Sequence, residues 1–522
     1  MTWWRDAVVY EVYVRSFADS NGDGTGDLPG ITAHLEHVAD LGADAVWLTP
    51  FYPSPMADGG YDVADQCDVD PLFGSLADAD RLLARAAELG LRVLVDLVPN
   101  HTSDQHPWFR QALADPGSPL RERYLFRTGR GQDPPNDWTS VFGGSAWTRV
   151  EADQWYLHLF DTSQPDVDWR HPAVHAEWER ILRFWLDRGV AGFRIDVAHG
   201  LYKQAELADH PGGLVDDPLF HAEGSPNAWD QPEVVDVYRR WRRITDAYGD
   251  RVMVGEVFLS ELDRVTRFVG ADRLHQSFNF PLLAAPLDAA TWRRLITASL
   301  AAFEGEGTSP TWVLSNHDVV RHATRLGGLA QARAATLTLL ALPGSPYLFQ
   351  GEELGLEQDS PPPKTRQDPI WLRSGGAVEG RDGCRTPLPW DGQAPGHGFT
   401  TGVPWLPMGS QAGQRNVQAE LADPASTLSM YRRALRVRRQ LREGLSRELE
   451  WLEVGADVLA LRRQHADGSA LVCVLNTGAL PTTVPIAGEV LVTSGSGVTH
   501  DAGSTTVPPV TAVWVREAGT AG

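Results

Sequence analysis

Three acidic residues stand at the carboxyl ends of separate short apolar runs. They are Asp196 in GFRID (192–196), Glu256 in RVMVGEVF (251–258) and Asp318 in WVLSNHD (312–318). Each run is typical of a buried strand, and a charge at the end of a buried strand is costly unless it serves a site. Three such ends predict one shared pocket. Two carboxyl groups flanking a scissile bond are what glycoside hydrolysis requires, so we expect that chemistry.

These runs belong to a strand–helix alternation that extends over most of the chain. AVVYEVYV (7–14), ADAVWLTP (43–50) and LRVLVDLVP (91–99) predict the first three strands, and QSFNF (276–280), TWVLS (311–315) and SPYLFQ (345–350) predict the last three. Helices are predicted between them, for example SLADADRLLARAAELG with Ser75 as its N-cap. The alternation indicates a parallel sheet. About eight repeats predict an α/β fold of the (β/α)8 TIM-barrel type.

Interruptions of the alternation divide the chain. Residues 1–100 and 169–446 are predicted to form the barrel domain, which includes a long loop excursion at 351–416. Residues 101–168, rich in Trp, Pro, Asp and Gly, predict an inserted subdomain after the third strand. From 447 to 522 short alternating runs such as ALVCVLNTG predict a C-terminal antiparallel β-sandwich domain.

Composition narrows the class of protein and its partners. The net charge of −22 argues against nucleic acid or an anionic membrane as a partner. The cysteines, Cys67, Cys384 and Cys473, have no CxxC spacing, which argues against a disulfide framework or a zinc site. No secretion signal or membrane span is evident. We therefore expect a cytoplasmic protein, monomeric or a small homo-oligomer, whose partners are small-molecule substrates.

Four strings in order carry a family resemblance. DLVPNH (96–101), GFRIDVAH (192–199), GEVF (255–258) and SNHD (315–318) resemble the four diagnostic regions of the α-amylase family, glycoside hydrolase family 13. QPDVDW (164–169), GRDGCRTPLPW and the opening WWRDAVVYEVYVRSF are similar to the α-glucosidase and oligo-1,6-glucosidase subgroup. The resemblance covers residues 3 to about 440 and, more weakly, the C-terminal domain. It implies a retaining mechanism.

The resemblance implies a role for each strand-end acid. Asp196 matches the nucleophile, which forms a covalent β-glucosyl-enzyme, and Glu256 matches the general acid/base. Such a pair is expected roughly 5–5.5 Å apart. Asp318 matches the carboxylate that holds ring hydroxyls and stabilises the oxocarbenium-like state. Arg194, two residues before Asp196, faces the same side of its strand and should keep that carboxylate ionised.

Further matches predict how a terminal glucose is held. His101 and His317 match histidines that bond glucose hydroxyls. Asp62 and Arg385 match a pair that grips the non-reducing end, which would close the pocket behind one sugar and make the enzyme exo-acting. Stacking walls are expected at Tyr61, Phe142 and Phe160.

A separate acidic loop, DSNGDGTGD (19–27), has the spacing of an EF-hand-type calcium loop. The predicted ligands are Asp19, Asn21, Asp23, the Thr25 carbonyl and Asp27. Ile31 stands where a full EF-hand has a bidentate Glu, so this is not a full EF-hand. In the subgroup the equivalent loop binds one structural Ca²⁺. The alternative is a loop held by Asx turns without metal.

The substrate is predicted less sharply than the reaction. A closed glucose subsite favours short α-glucosides, and we expect hydrolysis of small α-1,4 substrates such as maltose. Transglucosylation is also expected, because an alcohol can intercept the glucosyl-enzyme in place of water. Val197, directly after Asp196, is associated in the subgroup with α-1,6 bonds. Oligo-1,6-glucosidase activity and isomerisation of sucrose or maltose, as in a trehalose synthase, therefore remain alternatives.

Overall fold

The computed structural model describes residues 2–151, 153–211, 225–501 and 503–519. Within these residues eight parallel strands form a nearly closed barrel, which confirms the predicted fold class. In chain order, barrel strands 1 to 8 are Val9–Val12, Ala45–Leu48, Arg92–Leu97, Gly192–Ile195, Val252–Gly255, Gln276–Ser277, Thr311–Val313 and Ser345–Phe349. The hydrogen-bonded order runs from strand 7 through strands 8 and 1 to strand 6.

The two end strands of this order, 6 and 7, meet through a side chain. The Thr311 hydroxyl donates to the Ser277 carbonyl at 3.0 Å and accepts from the Asn279 amide at 3.1 Å. A hydroxyl therefore joins the two strands at this seam of the barrel.

Helices follow the strands and cover the barrel. The larger ones are Leu28–Leu41, Leu76–Glu88, Pro172–Asp187, Val234–Ala247, Ala289–Gly305, Leu329–Ala341 and Thr427–Leu441, and the short helix Leu262–Thr266 follows strand 5. Ser75 caps its helix as predicted, because its side chain accepts from the Asp78 amide. The helix Pro172–Asp187 buries Val174, Trp178, Ile181 and Trp185, the i, i+4, i+7 spacing of one helix face.

The segment between strand 3 and the helix Pro172–Asp187 forms a small sheet and helix whose apolar residues are continuous with the core of the barrel. It contains the helix Pro107–Ala114 and an antiparallel sheet of Phe126–Thr128, Gln154–Leu157 and Trp147–Arg149. Phe109 packs against Tyr124 and Tyr156 with ring centroids 5.0 Å apart in both pairs. The loops of this segment reach the cavity described below.

The long segment after strand 8 holds the short helices Pro369–Arg373 and Val417–Ala422, with 3-10 turns at Pro363–Thr365, Asp382–Cys384 and Pro395–Gly398. It is tied to the segment after strand 1 by backbone hydrogen bonds. The Asp19 amide donates to the Phe399 carbonyl at 2.9 Å, and the Leu388 amide donates to the Ser16 carbonyl at 2.8 Å. This long segment is therefore hydrogen-bonded to the loop after strand 1, at the end of the barrel where the strands terminate.

The C-terminal region forms the predicted antiparallel sandwich. One sheet has strands Glu450–Leu452, Val458–Gln464, Ala470–Asn476, Glu489–Thr493 and Thr511–Glu517, and the other has Thr482–Val484, Thr499–His500 and Thr505–Val507. Side chains from both sheets, among them Val472, Val484 and Val507, share one apolar core. Trp514 donates to the Leu337 carbonyl at 2.9 Å and so docks the larger sheet on a barrel helix.

Across the described ranges, no helix is long and apolar enough to cross a membrane. Cys67, Cys384 and Cys473 carry free thiols.

Candidate active site

The three predicted catalytic acids lie in the wall of one cavity of about 270 Å³. Asp196 and Glu256 directly follow strands 4 and 5, and Asp318 lies in the loop after strand 7. The strand hydrogen bonding extends onto two of them, because the Asp196 amide donates to the Leu97 carbonyl at 2.8 Å and the Glu256 amide to the Ile195 carbonyl at 2.9 Å. The barrel therefore fixes the backbone from which these carboxylates project.

Arg194 links two of the acids. Its fully buried guanidinium lies 2.7 Å from Asp196 Oδ1 and 3.0 Å from Asp96 Oδ1, and its other terminal nitrogen contacts Glu256 Oε1. Arg194 therefore lies on the same side of its strand as Asp196, but burial outweighs its effect and raises the pKa of Asp196 above the usual range. Asp96 supports Arg194 from the adjacent strand, and it receives a further hydrogen bond from the Tyr61 hydroxyl at 3.0 Å. One guanidinium thus offsets the charge of several carboxylates in a low-dielectric setting.

The acids differ in their proton affinity. Burial raises the pKa of Glu256 to about 8, against the lowering effect of Arg194. Burial also raises the pKa of Asp196, to about 7. The pKa of Asp318 instead falls below its usual range, because His317, Arg381 and Arg385 outweigh its burial. Glu256 is therefore the acid best suited to keep a proton at neutral pH, a property required of a general acid.

Two predicted histidines line the same cavity and are uncharged at neutral pH. Burial lowers the pKa of His101 to about 4, and it lowers that of His317 well below its usual value. His317 Nδ1 lies 2.6 Å from Glu11 Oε1, and its ring stacks on Tyr61 with centroids 5.2 Å apart. His101 Nε2 lies 3.1 Å from the Tyr61 carbonyl oxygen. Both rings are held in fixed orientations suited to bonding neutral hydroxyl groups.

The expected pair of Asp62 and Arg385 is not formed in the cavity wall, so this placement was wrong. The Asp62 carboxylate is fully buried and accepts from the Ser54 hydroxyl at 2.9 Å and from the Ala57 amide at 2.9 Å. Arg385 donates through Nε to the His317 carbonyl at 2.8 Å and through Nη2 to Asp318 Oδ1 at 2.9 Å. Asp62 therefore shapes its own loop, and Arg385 holds Asp318 from behind.

In each of these two loops, the residue four positions earlier lies in the cavity wall instead. Asp58 and Arg381 line the cavity, with Arg381 Nη2 2.6 Å from Asp58 Oδ1 and Nη1 3.1 Å from Asp318 Oδ1. Gln164, from the QPDVDW string, donates to Asp58 Oδ2 at 3.0 Å. The strings ADGGYD and RDGCR each contain two residues of the required type. Sequence spacing alone does not distinguish Asp58 from Asp62 or Arg381 from Arg385.

The predicted aromatic walls are all in the cavity lining. Tyr61, Phe142 and Phe160 contribute to it, and Phe142 and Phe160 meet edge to face at 5.8 Å. Several further lining residues were not predicted. His199 and Phe258 end the strings GFRIDVAH and GEVF, whereas Val141, Val319, Ile370 and Val378 come from segments that only the fold brings together.

Val197 has a strained backbone beside the predicted nucleophile. Its φ is 45°, in the left-handed region that β-branched residues avoid. In this conformation its amide donates to Glu256 Oε2 at 3.2 Å. Strain of this kind persists where the surrounding structure imposes it and is common at functional sites.

The acidic loop at 19–27 folds on itself through Asx-type hydrogen bonds. Asp19 Oδ2 accepts from the Gly24 amide at 2.8 Å, and Asp23 Oδ1 accepts from the Thr25 amide at 2.8 Å. Asp27 has a different role, because its Oδ1 accepts from the Gly30 amide and caps the helix Leu28–Leu41. Five oxygen donors at alternating positions match the ligand preference of Ca²⁺.

The positions of the side chains in this loop support calcium binding less than the chemistry of their oxygen atoms does. Among the residues that the structure describes, no group of three or more His, Cys, Asp and Glu side chains is placed to hold a metal ion. The hydrogen bonds observed are also those of a loop held by Asx turns alone. Calcium binding by this loop therefore stays a prediction.

Comparison with known proteins adds independent findings. The family described as "Alpha amylase, catalytic domain" matches residues 11–446, and a domain of unknown function, DUF3459, matches residues 447–514. A probable alpha-glucosidase of Rhizobium meliloti (strain 1021) is 39% identical over 500 residues, 91% of this chain and 89% of that protein. An oligo-1,6-glucosidase of Parageobacillus thermoglucosidasius is 36% identical over 476 residues, 84% of each chain.

A solved structure shares the whole architecture. The crystal structure of an alpha-glucosyl transfer enzyme, XgtA, superposes with a TM-score of 0.90 and 38% sequence identity, over 99% of this chain and 100% of that one. The likeness includes both the barrel and the C-terminal sandwich.

Proposed function

The chain belongs to the α-amylase family of glycoside hydrolases, and from this we propose that it is a retaining α-glucosidase that removes terminal, non-reducing glucose from short α-glucosides. Enzymes named alpha-glucosidase and oligo-1,6-glucosidase are its relatives. One observation carries the proposal. Asp196 and Glu256 project from adjacent barrel strands into one cavity, and Arg194 contacts both.

In the first step Asp196 attacks the anomeric carbon and Glu256 gives its proton to the departing oxygen. The product is a covalent β-glucosyl-enzyme and a free alcohol or sugar. Arg194 supports this step because its guanidinium stabilises Asp196 as the carboxylate. The raised pKa of Glu256 favours the protonated form that the step requires.

In the second step Glu256, now a carboxylate, takes a proton from water, whose oxygen attacks the anomeric carbon. The bond to Asp196 breaks, and α-glucose leaves with retained configuration. The amide of Val197 donates to Glu256 Oε2 and stabilises the charged form that this step needs. Asp318, held ionised by its cationic neighbours, stabilises positive charge on the glucosyl ring in both steps.

The proposal of exo action rests on the ion pair of Asp58 and Arg381. The two side chains lie 2.6 Å apart in the cavity wall and share a network with Asp318. Charged groups that bond the hydroxyls farthest from the scissile bond would end the site after one sugar. His101 and His317 complete the set of groups around that sugar.

Two candidate activities differ in the glycosidic linkage that is cleaved. We propose α-1,4 bonds, as in maltose, for the main activity, with transfer of glucose to alcohols as a side reaction. A second candidate, oligo-1,6-glucosidase activity, is favoured by Val197, which lines the cavity beside the nucleophile, and by the related enzyme of that name.

A substrate panel tests the proposal. Purified protein would be incubated with maltose, isomaltose, sucrose and soluble starch, and the first product followed by NMR. We expect α-glucose from maltose. Isomaltose cleaved faster than maltose would support the second candidate, and conversion of sucrose or maltose to an isomer without glucose release would identify an isomerase. Long oligosaccharides from starch, or β-glucose as the first product, would contradict the exo-acting, retaining reading.

We also propose that the loop 19–27 binds one structural Ca²⁺ and that the protein is cytoplasmic. The first proposal is supported by the spacing of Asp19, Asn21, Asp23 and Asp27 and by the oxygen chemistry of these ligands. The second is supported by three unpaired cysteines, which suit a reducing compartment.

A further inference from the structure

Aromatic rings and a carboxyl group hold the ring of His317. Tyr61 and Tyr13 stack on it, with ring centroids 5.2 and 5.7 Å away. One ring nitrogen, Nδ1, lies 2.6 Å from Oε1 of Glu11. The other, Nε2, lies 3.3 Å from Oδ2 of Asp318, and both His317 and Asp318 line the cavity. The position of the hydrogen on this ring therefore decides whether the cavity presents a donor or an acceptor at Nε2.

Glu11 is a buried acid in the interior of barrel strand 1, Val9–Val12, and it is only 2% exposed. Its one ion-pair partner among the described residues is His317. Burial raises the pKa of Glu11 well above its usual value, and the negative charge of Asp318 adds to this effect, whereas the more distant Arg194 opposes it. The surroundings of Glu11 therefore favour its neutral, protonated form.

The hydrogens of Glu11 and His317 can be distributed in three ways. If an ionised Glu11 accepts from Nδ1–H, the lone pair of Nε2 faces the Asp318 carboxylate at 3.3 Å, so two acceptors oppose each other. If His317 is an imidazolium, three buried charges stand in a row, at a large cost in desolvation. If Glu11 is neutral, its O–H donates to Nδ1, and the ring hydrogen is on Nε2.

The third distribution agrees best with the contacts. A separation of 2.6 Å is shorter than the usual N–H···O bond but ordinary for a hydroxyl donor. The backbone amide of His317 lies 3.3 Å from the same Oε1 and donates to it, and a hydroxyl oxygen is able to donate one hydrogen bond while it accepts another. One charge then remains, on Asp318, which is paired with Arg381 and Arg385.

A hydrogen on Nε2 also suits a hydroxyl group of a ligand. Nε2 is buried and has no hydrogen-bond partner within the part of the chain that the structure describes. A hydroxyl that enters beside it has one hydrogen to donate, which Asp318 accepts, and lone pairs that accept from Nε2–H. With the hydrogen on Nδ1 instead, Nε2 and Asp318 compete for that single hydrogen, and one buried acceptor stays unsatisfied.

We propose that Glu11 is a positioning residue that keeps a proton and donates it in a hydrogen bond to Nδ1 of His317, so that His317 offers the substrate an N–H group at Nε2. Glu11 does not line the cavity, and it acts on the sugar only through His317. The part of this inference that concerns the sugar rests on the proposed α-glucosidase function. The position of the hydrogen is a property of the folded protein and is independent of that function.

NMR of the wild-type protein tests where the hydrogen lies. The protein would be labelled with ¹⁵N-histidine, and correlations from the ring carbons to both nitrogens recorded at neutral pH. The His317→Gln variant assigns the signals, because those of His317 disappear. We expect His317 to be a neutral imidazole with its hydrogen on Nε2. A hydrogen on Nδ1 alone, or on both nitrogens, would overturn the inference.

Kinetics with deoxy sugars test the role of Glu11 in holding the substrate. The substrates are p-nitrophenyl α-glucoside and its monodeoxy analogues at positions 2, 3, 4 and 6. Glu11→Leu removes the donor, and it should lower kcat/KM for the parent glucoside by roughly 5- to 100-fold, the effect of one unpaired buried polar group. For the analogue that lacks the hydroxyl bonded by His317, the loss should be within about twofold, because the contact is already absent.

Glu353→Leu is the matched control. Glu353 is also fully buried and also contacts a histidine, with its Oε1 3.1 Å from Nε2 of His37, but it does not line the cavity. Any loss that this variant causes should be the same for all five substrates. An equal loss for all five in Glu11→Leu would show that Glu11 supports the fold alone, and it would overturn the positioning role.

The two experiments separate this inference from the proposed function. If Glu11→Leu fails to fold, the NMR measurement still decides the position of the hydrogen, because it uses the wild-type protein. If no α-glucoside releases glucose, the proposed function fails and the positioning role fails with it. A hydrogen found on Nδ1 in a protein that does release α-glucose would overturn this inference alone.

Discussion

Two acidic clusters in this protein are held in opposite ways. In the cavity, Asp196 and Glu256 are fixed by the guanidinium of Arg194, and Glu256 lies 62 residues from it in the chain. In the loop 19–27, Asp19 and Asp23 accept hydrogen bonds from backbone amides at most five residues away. The cavity cluster therefore exists only in the completed barrel, whereas the loop cluster is built mostly by its own segment, with one distant hydrogen bond from Thr400 to Asp19.

This difference in structure leads to different pKa shifts of the carboxylates in the two clusters. Cavity carboxylates are buried together, so their pKa values shift apart and they can take separate roles in catalysis. The pKa of Asp19 is lowered, because hydrogen bonds from Thr400 and from the backbone outweigh its partial burial. The first arrangement suits proton transfer, and the second suits a permanent negative charge.

The largest effect expected from breaking the cavity cluster is loss of turnover. Asp196→Asn should lower kcat by at least roughly 10⁴-fold, because no other group replaces the nucleophile. Glu256→Gln should lower it by roughly 10²–10⁴-fold for maltose, whose leaving group needs a proton. Steady-state rates at unchanged circular dichroism measure both. Asp115→Asn, at an exposed acid in the inserted segment, is the control and should keep the wild-type rate.

A smaller effect distinguishes the acid in the cavity wall from the acid behind it. Asp58→Asn should lower kcat/KM by roughly 10- to 100-fold, because it removes a charge that faces the substrate, and it should also lower Tm, because it breaks the buried ion pair with Arg381. Asp62→Asn should lower the free energy of unfolding by about 1–3 kcal/mol, because Asp62 is bonded within its loop. Kinetics and thermal unfolding of both variants test the assignment. It would be wrong if Asp62→Asn had the larger kinetic effect at unchanged stability.

The shifted pKa values in the cavity predict a narrow pH optimum. Catalysis needs Asp196 ionised, so kcat/KM should fall as pH drops below about 7. It also needs Glu256 protonated, so kcat/KM should fall as pH rises above about 8. The bell-shaped profile should therefore have its maximum between these values. A profile flat from pH 5 to 9 would show that these two groups do not control the reaction.

The smallest effect on activity is expected from the loop cluster. Removing metal with EDTA should lower Tm by a few degrees and leave kcat/KM at 25 °C within about twofold, because a ligand bound only to the folded state adds stability. Added Ca²⁺ should restore Tm in the wild-type protein and in Asp115→Ala, but not in Asp23→Ala. If Ca²⁺ shifts no Tm and terbium luminescence detects no binding, the loop is held by Asx turns alone.

The parts of the fold and of the site that are built from regular strands and helices could be predicted from the sequence. The barrel was predictable because each buried strand is a short apolar run and the helices between them have clear caps, as at Ser75. Asp196 and Glu256 were predictable because they directly follow such runs. Their contacts with Arg194 follow from residue spacing and from parallel pairing of neighbouring strands.

Residues supplied by long loops were harder to predict. Asp58 was missed in favour of Asp62 because both lie in one turn-rich loop whose path depends on contacts with Gln164 and Arg381. The apolar residues of the cavity lining gave no periodic signal, because Val141, Phe258 and Val378 come from separate segments of the chain. The short antiparallel strands of the inserted segment, such as Phe126–Thr128, were not predicted either, because three-residue strands carry little pattern.

Val197 combines a strained backbone with a buried side chain beside the predicted nucleophile. A β-branched residue at φ 45° costs about 1–3 kcal/mol, and glycine would adopt the same backbone without that cost. Glycine would, however, remove a buried side chain that packs in the apolar core, at a cost in stability comparable to the strain that it relieves. Glycine would also loosen the backbone whose amide holds Glu256. The side chain and the strained backbone of Val197 therefore act together, since one lines the cavity and the other aims an amide at Glu256.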